Sequence, residues 1–196
     1  MAYYFIFPES DTTLYSHPDR SDMNAGNDEI LEIVKEQGST DNLLYPSRIV
    51  IKFPNAEIKS TIQNIIGHDI FNTSGSVTAS LQLTSAEPKN LVSILNIEAF
   101  TVSESWDEGS GRYSNLPTSS NGASWEYRFN GIDSTEWTTS SFEAGSTGSV
   151  SSSVLTKGGG AWYTGSGFFS TQQFLVGDSL DTNVPVTEII KKWSAS

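Results

Sequence analysis

Short alternating apolar runs, each closed by Pro, Gly or polar turn residues, constrain the fold most. The clearest is Arg48–Phe53, where apolar side chains occupy every second position before Pro54 ends the run. Successive side chains of a strand point to opposite faces, so this spacing predicts a half-buried strand. The same reasoning predicts strands at Thr12–Tyr15, Glu29–Lys35, Val77–Leu83, Leu91–Val102, Trp125–Phe129 and Phe168–Val176. A change of phase near Asn96 predicts a bulge in the Leu91–Val102 strand.

Two segments depart from this pattern and predict short helices. Ala56–Ile66 places isoleucines at helical spacing behind Asn55, a residue suited to the N-cap, and Gly67 follows where a C-cap glycine is expected. Val186–Trp193 has acidic and basic residues at the ends that favour a helix dipole, with Thr187 as the predicted cap.

Many short strands with two short helices favour an all-β fold, an antiparallel jelly-roll β-sandwich. Residues 1–9 form an N-terminal arm or edge strand, and residues 10–196 form a single sandwich domain. The 22 aromatic residues argue against intrinsic disorder, although only 36% of the chain is hydrophobic.

Charge and cysteine content exclude several functional classes. The net charge of -12 disfavours direct binding to nucleic acid, because that affinity depends on Lys and Arg neutralising phosphates. The absence of cysteine excludes disulfides, thiolate catalysis and Cys-based zinc sites. The apolar run at Tyr3–Phe7 is too short for a signal sequence or a membrane span, so neither export nor membrane insertion is expected.

Catalytic candidates are few, and no enzymatic activity is expected. Asp107 and Glu108 could suggest a glycosidase pair, but adjacent side chains on extended chain point apart. His17 and His68 each lie in a polar loop without a Ser nucleophile motif beside them.

One loop is a weak metal candidate. Asn24, Asn27 and Asp28 offer closely spaced oxygen atoms around Gly26, which suits a structural Ca²⁺. The segment lacks the complete EF-hand register, and the alternative is a turn in which these side chains bind their own backbone. No other cofactor is expected.

Two groups of aromatic residues are candidates for binding. Trp137, Trp162 and Tyr163 could stack on sugar rings or form a subunit contact, and the alternative is that they belong to the core. The arm residues Tyr3, Tyr4, Phe5 and Phe7 are predicted to contact a neighbouring subunit.

The order of several short motifs is similar to DNRLRE-type domains, jelly-roll sandwiches that resemble carbohydrate-binding modules. The motifs are Asn24–Ile33, Ser47–Phe53, Ala79–Leu83, Ser105–Gly109 and Val186–Trp193. Members of that family usually continue beyond the last helix with strands that close the sandwich. The resemblance therefore implies a domain that is incomplete at Ser196 or is completed by another chain.

The acidic, Cys-free form of the chain resembles virion proteins of marine tailed phages. The resemblance implies a non-enzymatic tail, baseplate or fibre component that assembles in the host cytoplasm with copies of itself and other virion proteins. Contact with a host-surface glycan is compatible with that role. The alternative function is a carbohydrate-binding module that recognises a polysaccharide through the loop aromatics.

Overall fold

The computed structural model describes residues 3–67, 77–86, 94–138, 158–163 and 165–194. The chain forms two compact units. The first contains Met1–Pro54 and Val102–Trp162, and the second contains Asn55–Thr101 and Tyr163–Ser196.

The first unit is built on a three-stranded antiparallel sheet. Its strands are β1 (Ser10–Tyr15), β2 (Lys35–Gln37) and β3 (Leu44–Lys52), in the order β1-β3-β2. The register between β1 and β3 runs from Ser10 opposite Lys52 to Tyr15 opposite Ser47. The strands predicted at Thr12–Tyr15 and Arg48–Phe53 are therefore confirmed, and they pair with each other.

Two further strands form a small hairpin in the same unit. Strand β6 (Tyr127–Phe129) pairs antiparallel with β7 (Thr135–Glu136), and Asn130–Ser134 connects them. The apolar core of this unit draws its side chains from β1, from β3 and from the loops, and burial removes them from water. It consists of Leu14, Val50, Trp106, Ala123, Trp125, Trp137 and Ala161.

The second unit begins with helix α1 (Asn55–Ser60), which continues as a π-helical segment over Thr61–Ile66. Its two sheets are two-stranded and antiparallel, and its last element is helix α2 (Thr187–Ser194). One sheet pairs β4 (Ser80–Leu83) with β9 (Thr182–Pro185), and the other pairs β5 (Leu95–Phe100) with β8 (Phe169–Phe174). Ile58, Ile62, Phe174, Val184 and Ile189 are its buried apolar side chains.

Several local predictions are wrong. Glu29–Val34 forms neither strand nor helix, because side-chain hydroxyls take the place of a ladder partner: Thr13 Oγ1 accepts from Glu32 N, and Ser47 Oγ accepts from Val34 N. Strand β5 pairs with β8 without a bulge at Asn96. The Thr187 hydroxyl bonds the Ala79 backbone rather than capping its own helix. For Tyr3–Phe7, where an arm or an edge strand was predicted, the structure has no strand within the chain.

Among the described residues the regular structure is thus mostly β, in small antiparallel sheets with two short helices, which agrees with the predicted all-β class. Within the described ranges, no helix has the length and apolar character needed to cross a bilayer.

Candidate functional site

The loop predicted as a metal candidate is organised around the buried amide of Asn24. Asn24 is 0% exposed, and its Nδ2 donates to the carbonyl oxygens of Glu108 at 2.7 Å and Ala123 at 2.8 Å. Its Oδ1 accepts from the backbone N–H groups of Gly111 at 2.7 Å and Gly26 at 3.2 Å. Four hydrogen bonds use the full capacity of a side-chain amide, so Asn24 ties three loop segments together.

Glycines allow these segments to approach so closely. A Cβ on Gly111 would lie 2.3 Å from the Asn24 carbonyl oxygen, and one on Gly26 would lie 2.0 Å from the Glu108 carbonyl oxygen. Gly109 also has a φ of +78°, a conformation that side chains with a Cβ rarely adopt. Glycine at these positions therefore allows the backbones of the loop segments to pack directly against each other.

This arrangement disfavours Asn24 as a calcium ligand, because its oxygen already accepts two hydrogen bonds. Asp28 Oδ2 accepts from Tyr113 N at 3.0 Å, while Asn27 is exposed. Within the part of the chain that is described, no three His, Asp or Glu side chains are grouped as a metal site. The three candidates thus occupy one loop, where Asn24 and Asp28 serve the backbone.

The Glu108 side chain contacts strand β1 and does not form a pair with the Asp107 side chain. Its Oε1 accepts from the backbone N–H of Asp11 at 2.9 Å. Partial burial, and secondly the Glu108 carboxylate, raise the pKa of Asp11 above its ordinary value. Asp107 contributes backbone bonds, with its N–H donating to the Arg128 carbonyl and its own carbonyl accepting from Ala123. The structure therefore brings Glu108 to Asp11, a proximity that sequence spacing does not indicate.

A half-buried arginine of the first unit packs against two tryptophan rings. The guanidinium of Arg48 lies 4.7 Å from the ring centroid of Trp125 and 4.6 Å from that of Trp162, and its Nη1 donates to the Gly159 carbonyl at 2.9 Å. Burial lowers the pKa of Arg48 to about 10, which leaves it protonated at neutral pH. Planar guanidinium groups stack well on aromatic faces.

The predicted aromatic platform is therefore not a row of exposed rings. Trp137 is only 3% exposed, and its Nε1 donates to the Ser124 carbonyl at 2.9 Å inside the core. Trp162 is half-buried against Arg48. Tyr163 belongs to the second unit, is 49% exposed and stacks on Phe168 with 5.2 Å between ring centroids. Of the three residues, Tyr163 is the one that presents an exposed ring.

The N-terminal arm presents more exposed aromatic surface than these loops. Glu9 holds its base, because its N–H donates to the Lys52 carbonyl at 2.8 Å and its Oε1 lies 2.9 Å from Lys52 Nζ. Phe5 and Phe7 are 66% and 76% exposed, and Tyr3 and Tyr4 are also exposed. The arm is thus anchored at one end and carries apolar rings in water.

A second apolar surface lies beside strand β2, one of the two edge strands of the three-stranded sheet. We call it the β2 strip. It consists of the exposed side chains of Ile30, Ile33, Val34 and Leu44. The exposure of Ile30, Ile33 and Val34 follows from the irregular path of Glu29–Val34, because a regular strand would have turned alternate residues inward, and Leu44 is the first residue of β3.

The structure describes one of the two histidines, His17. His17 packs edge-on against Tyr45, with ring centroids 5.0 Å apart, and its Nδ1 accepts from Asp19 N at 3.3 Å. His68 lies outside the described residues.

The sequence did not predict that Asn24 and Arg48 organise the contacts around them. The signal for either was the density of glycine near Asn24 and beyond Lys157.

Comparison of the chain with protein-family models, with curated proteins and with solved structures gave no match.

Proposed function

We propose that the chain is a non-enzymatic structural subunit that assembles with copies of itself through the N-terminal arm. In its fuller form, the proposal is a tail, baseplate or fibre component of a tailed-phage virion, built on a DNRLRE-type jelly-roll sandwich. The observation that carries the proposal is the exposure of Phe5 and Phe7 on an arm anchored at Glu9.

Exposed rings on an anchored segment favour burial against another surface. Large exposed apolar patches on folded proteins often mark sites of interaction with another molecule. We assign the β2 strip of a second copy as the acceptor, because it is apolar and adjoins a sheet edge where an extended segment can add as a strand.

The available area is sufficient for a stable interface. A fully buried aromatic side chain removes about 150–250 Å² from water, and the four arm rings are 51–76% exposed, so their burial would remove about 500 Å² per copy. Reciprocal exchange of two arms onto two β2 strips would then bury about 2,000 Å², which is within the range of stable specific interfaces.

Charge determines how this association should respond to salt. Copies with a net charge of -12 repel each other, whereas Tyr3–Phe7 carries no charged residue. Added salt screens the repulsion and leaves the apolar contact intact, so association should strengthen as ionic strength rises.

Analytical ultracentrifugation of the full chain over a range of concentrations tests the assembly. We expect a self-associating species that the double variant Phe5→Ser/Phe7→Ser converts to monomer, and that Ile33→Ser weakens. Ile132→Ser is the matched control, because it removes a fully exposed isoleucine from the β6–β7 turn, outside both surfaces. A wild-type chain that stays monomeric at every concentration, or an Ile132→Ser effect equal to that of the arm variant, would refute assembly through the arm.

The virion assignment needs a separate test. An antibody against the chain should label the tail, baseplate or fibre of purified particles of the virus that encodes it. Particles without the chain would refute this assignment while leaving arm-mediated self-association untouched.

Tyr163 favours a second candidate function, binding of a polysaccharide. Its half-exposed ring on Phe168 is suited to stacking against a sugar, although Trp137 is buried in the core. Binding to a glycan array that Tyr163→Ala abolishes would support this function. Absence of binding by the wild-type chain would oppose it.

A further inference from the structure

The turn between β6 and β7 contains one of the two Asn-Gly pairs of the chain, Asn130-Gly131; the other is Asn121-Gly122. Gly131 has a φ of +150°, and a Cβ built on it would meet nothing within 4 Å. Ile132, the next residue, is fully exposed. The backbone that follows Asn130 is thus exposed to water, because glycine has no side chain to cover it.

The turn places the Asn130 carboxamide against the following backbone nitrogen. The Gly131 N–H donates to Asn130 Oδ1 at 3.0 Å. Ser134 Oγ lies 2.9 Å from the same Oδ1 and 3.0 Å from the Gly131 carbonyl oxygen. The side-chain carbonyl therefore has a nucleophilic nitrogen beside it and a hydroxyl donor on its oxygen.

We propose that Asn130 is a site of spontaneous deamidation through a succinimide. The Gly131 nitrogen gives up its proton to a solvent base and attacks Asn130 Cγ, which places negative charge on Oδ1. The Ser134 hydroxyl donates a hydrogen bond to that charge, as donors aimed at a developing oxyanion do in enzymes. The C–N bond to Nδ2 then breaks, and the amide nitrogen takes a proton from water and leaves as ammonia.

Water completes the reaction by adding to either carbonyl of the five-membered succinimide ring, and the bond from that carbonyl carbon to the ring nitrogen breaks as the nitrogen takes a proton. The product is an aspartyl or an isoaspartyl residue at position 130, and the net change is the replacement of an amide nitrogen by a water oxygen. Either product adds a negative charge near Asp133. The isoaspartyl form also inserts a methylene group into the backbone of the β6–β7 turn.

Asn121-Gly122 provides an internal control with the same dipeptide chemistry. Asn121 Oδ1 accepts from Ser110 N, and its Nδ2 donates to Ser110 Oγ at 2.7 Å, so the carboxamide is held away from the next residue. Gly122 is buried, and its N–H donates to the Asn130 carbonyl at 3.3 Å. Attack by this buried nitrogen requires the loss of bonds to two other parts of the loop, whereas Gly131 is exposed and its N–H bonds, to Asn130 Oδ1 and to Ser134 Oγ at 3.3 Å, stay within the turn itself.

Incubation of the full chain in ¹⁸O-labelled water at mildly alkaline pH, followed by proteolysis and mass spectrometry, tests the proposal. Folded protein should accumulate label at position 130 several-fold faster than at position 121. In denaturant, the two positions should react at similar rates, because the neighbouring residue then dominates. Asn130→Gln should give no labelled product at position 130 on the same timescale.

The role of Ser134 is tested by Ser134→Ala, which should slow labelling at position 130 several-fold in the folded chain and leave the denatured rate unchanged. An unchanged folded rate would refute the hydroxyl's contribution. Equal labelling of positions 121 and 130 in the folded wild-type chain would overturn the proposal, and this comparison needs no variant to fold.

Discussion

Replacement of Asn24 by alanine is the sharpest test of how the first unit is held together. The Asn24 amide bonds four backbone groups on three segments, those of Gly26, Glu108, Gly111 and Ala123. Asn24→Ala removes all four bonds without adding a clash, so the partners lose the amide and keep their surroundings.

The expected cost follows from how deeply those partners are buried. Gly111 and Ala123 are buried, whereas Gly26 and Glu108 are half-buried and have better access to water. A buried group without a hydrogen-bond partner costs about 1–3 kcal/mol, so the two buried groups together cost about 2–6 kcal/mol. We expect a loss of about 4 kcal/mol in the free energy of unfolding, a large share of the ~5–15 kcal/mol typical of a folded protein.

Urea unfolding followed by tryptophan fluorescence measures this loss, because Trp106 and Trp125 lie in the same unit. With a slope of about 1–3 kcal/mol per molar urea, the midpoint should fall by about 2 M. Asn27→Ala is the matched control, since Asn27 is the same residue type three positions away and is exposed. Its free energy of unfolding should stay within about 0.5 kcal/mol of wild type. If Asn24→Ala were no more destabilising than Asn27→Ala, the reasoning from buried hydrogen bonds would be wrong.

Three further predictions concern Asp11, Arg48 and calcium. The pKa of Asp11 is raised, so Asp11 stabilises the fold most below its ordinary pKa of 3.8 and loses that contribution as pH rises. Asp11→Asn should therefore increase the free energy of unfolding at pH 7. In urea titrations this increase should become smaller as the pH falls toward 4. Arg48→Lys keeps the charge but loses stacking on two rings and should cost about 1–3 kcal/mol by the same assay, whereas the exposed-pair control Arg112→Lys should change stability by less than about 0.5 kcal/mol. Melting temperatures in Ca²⁺ and in a chelator should coincide, because Asn24 Oδ1 is already bonded, and a clear rise with Ca²⁺ would contradict that reasoning.

Hydrophobic periodicity predicted those elements whose buried and exposed faces follow from the residues within the segment itself. The alternation at Arg48–Phe53 and Thr12–Tyr15 predicted β3 and β1, and charge placement predicted helix α2. The same method failed at Glu29–Val34, because the hydroxyls of Thr13 and Ser47 bind that backbone from other strands. Nothing within the segment indicates those distant partners.

The candidate site residues divide in the same way. Phe5 and Phe7 are exposed, and their contact with a neighbouring subunit stays a prediction. Trp137 was a candidate for a binding ring with the core as the alternative, and it lies in the core, where its indole N–H donates to the Ser124 carbonyl. An aromatic residue in a loop can lie in either environment, and its partner decides between them.

Composition and alternation thus specified an all-β chain without cysteine chemistry, because side-chain period and residue type are local properties. Tertiary structure alone decided that Asn24 joins three loops, that Glu108 meets Asp11 across 97 positions of sequence, and that Arg48 lies on two tryptophans. Each of these contacts depends on the close approach of segments far apart in the chain. Such approach is decided by packing and by the hydrogen-bonding needs of buried backbone, which no single segment contains.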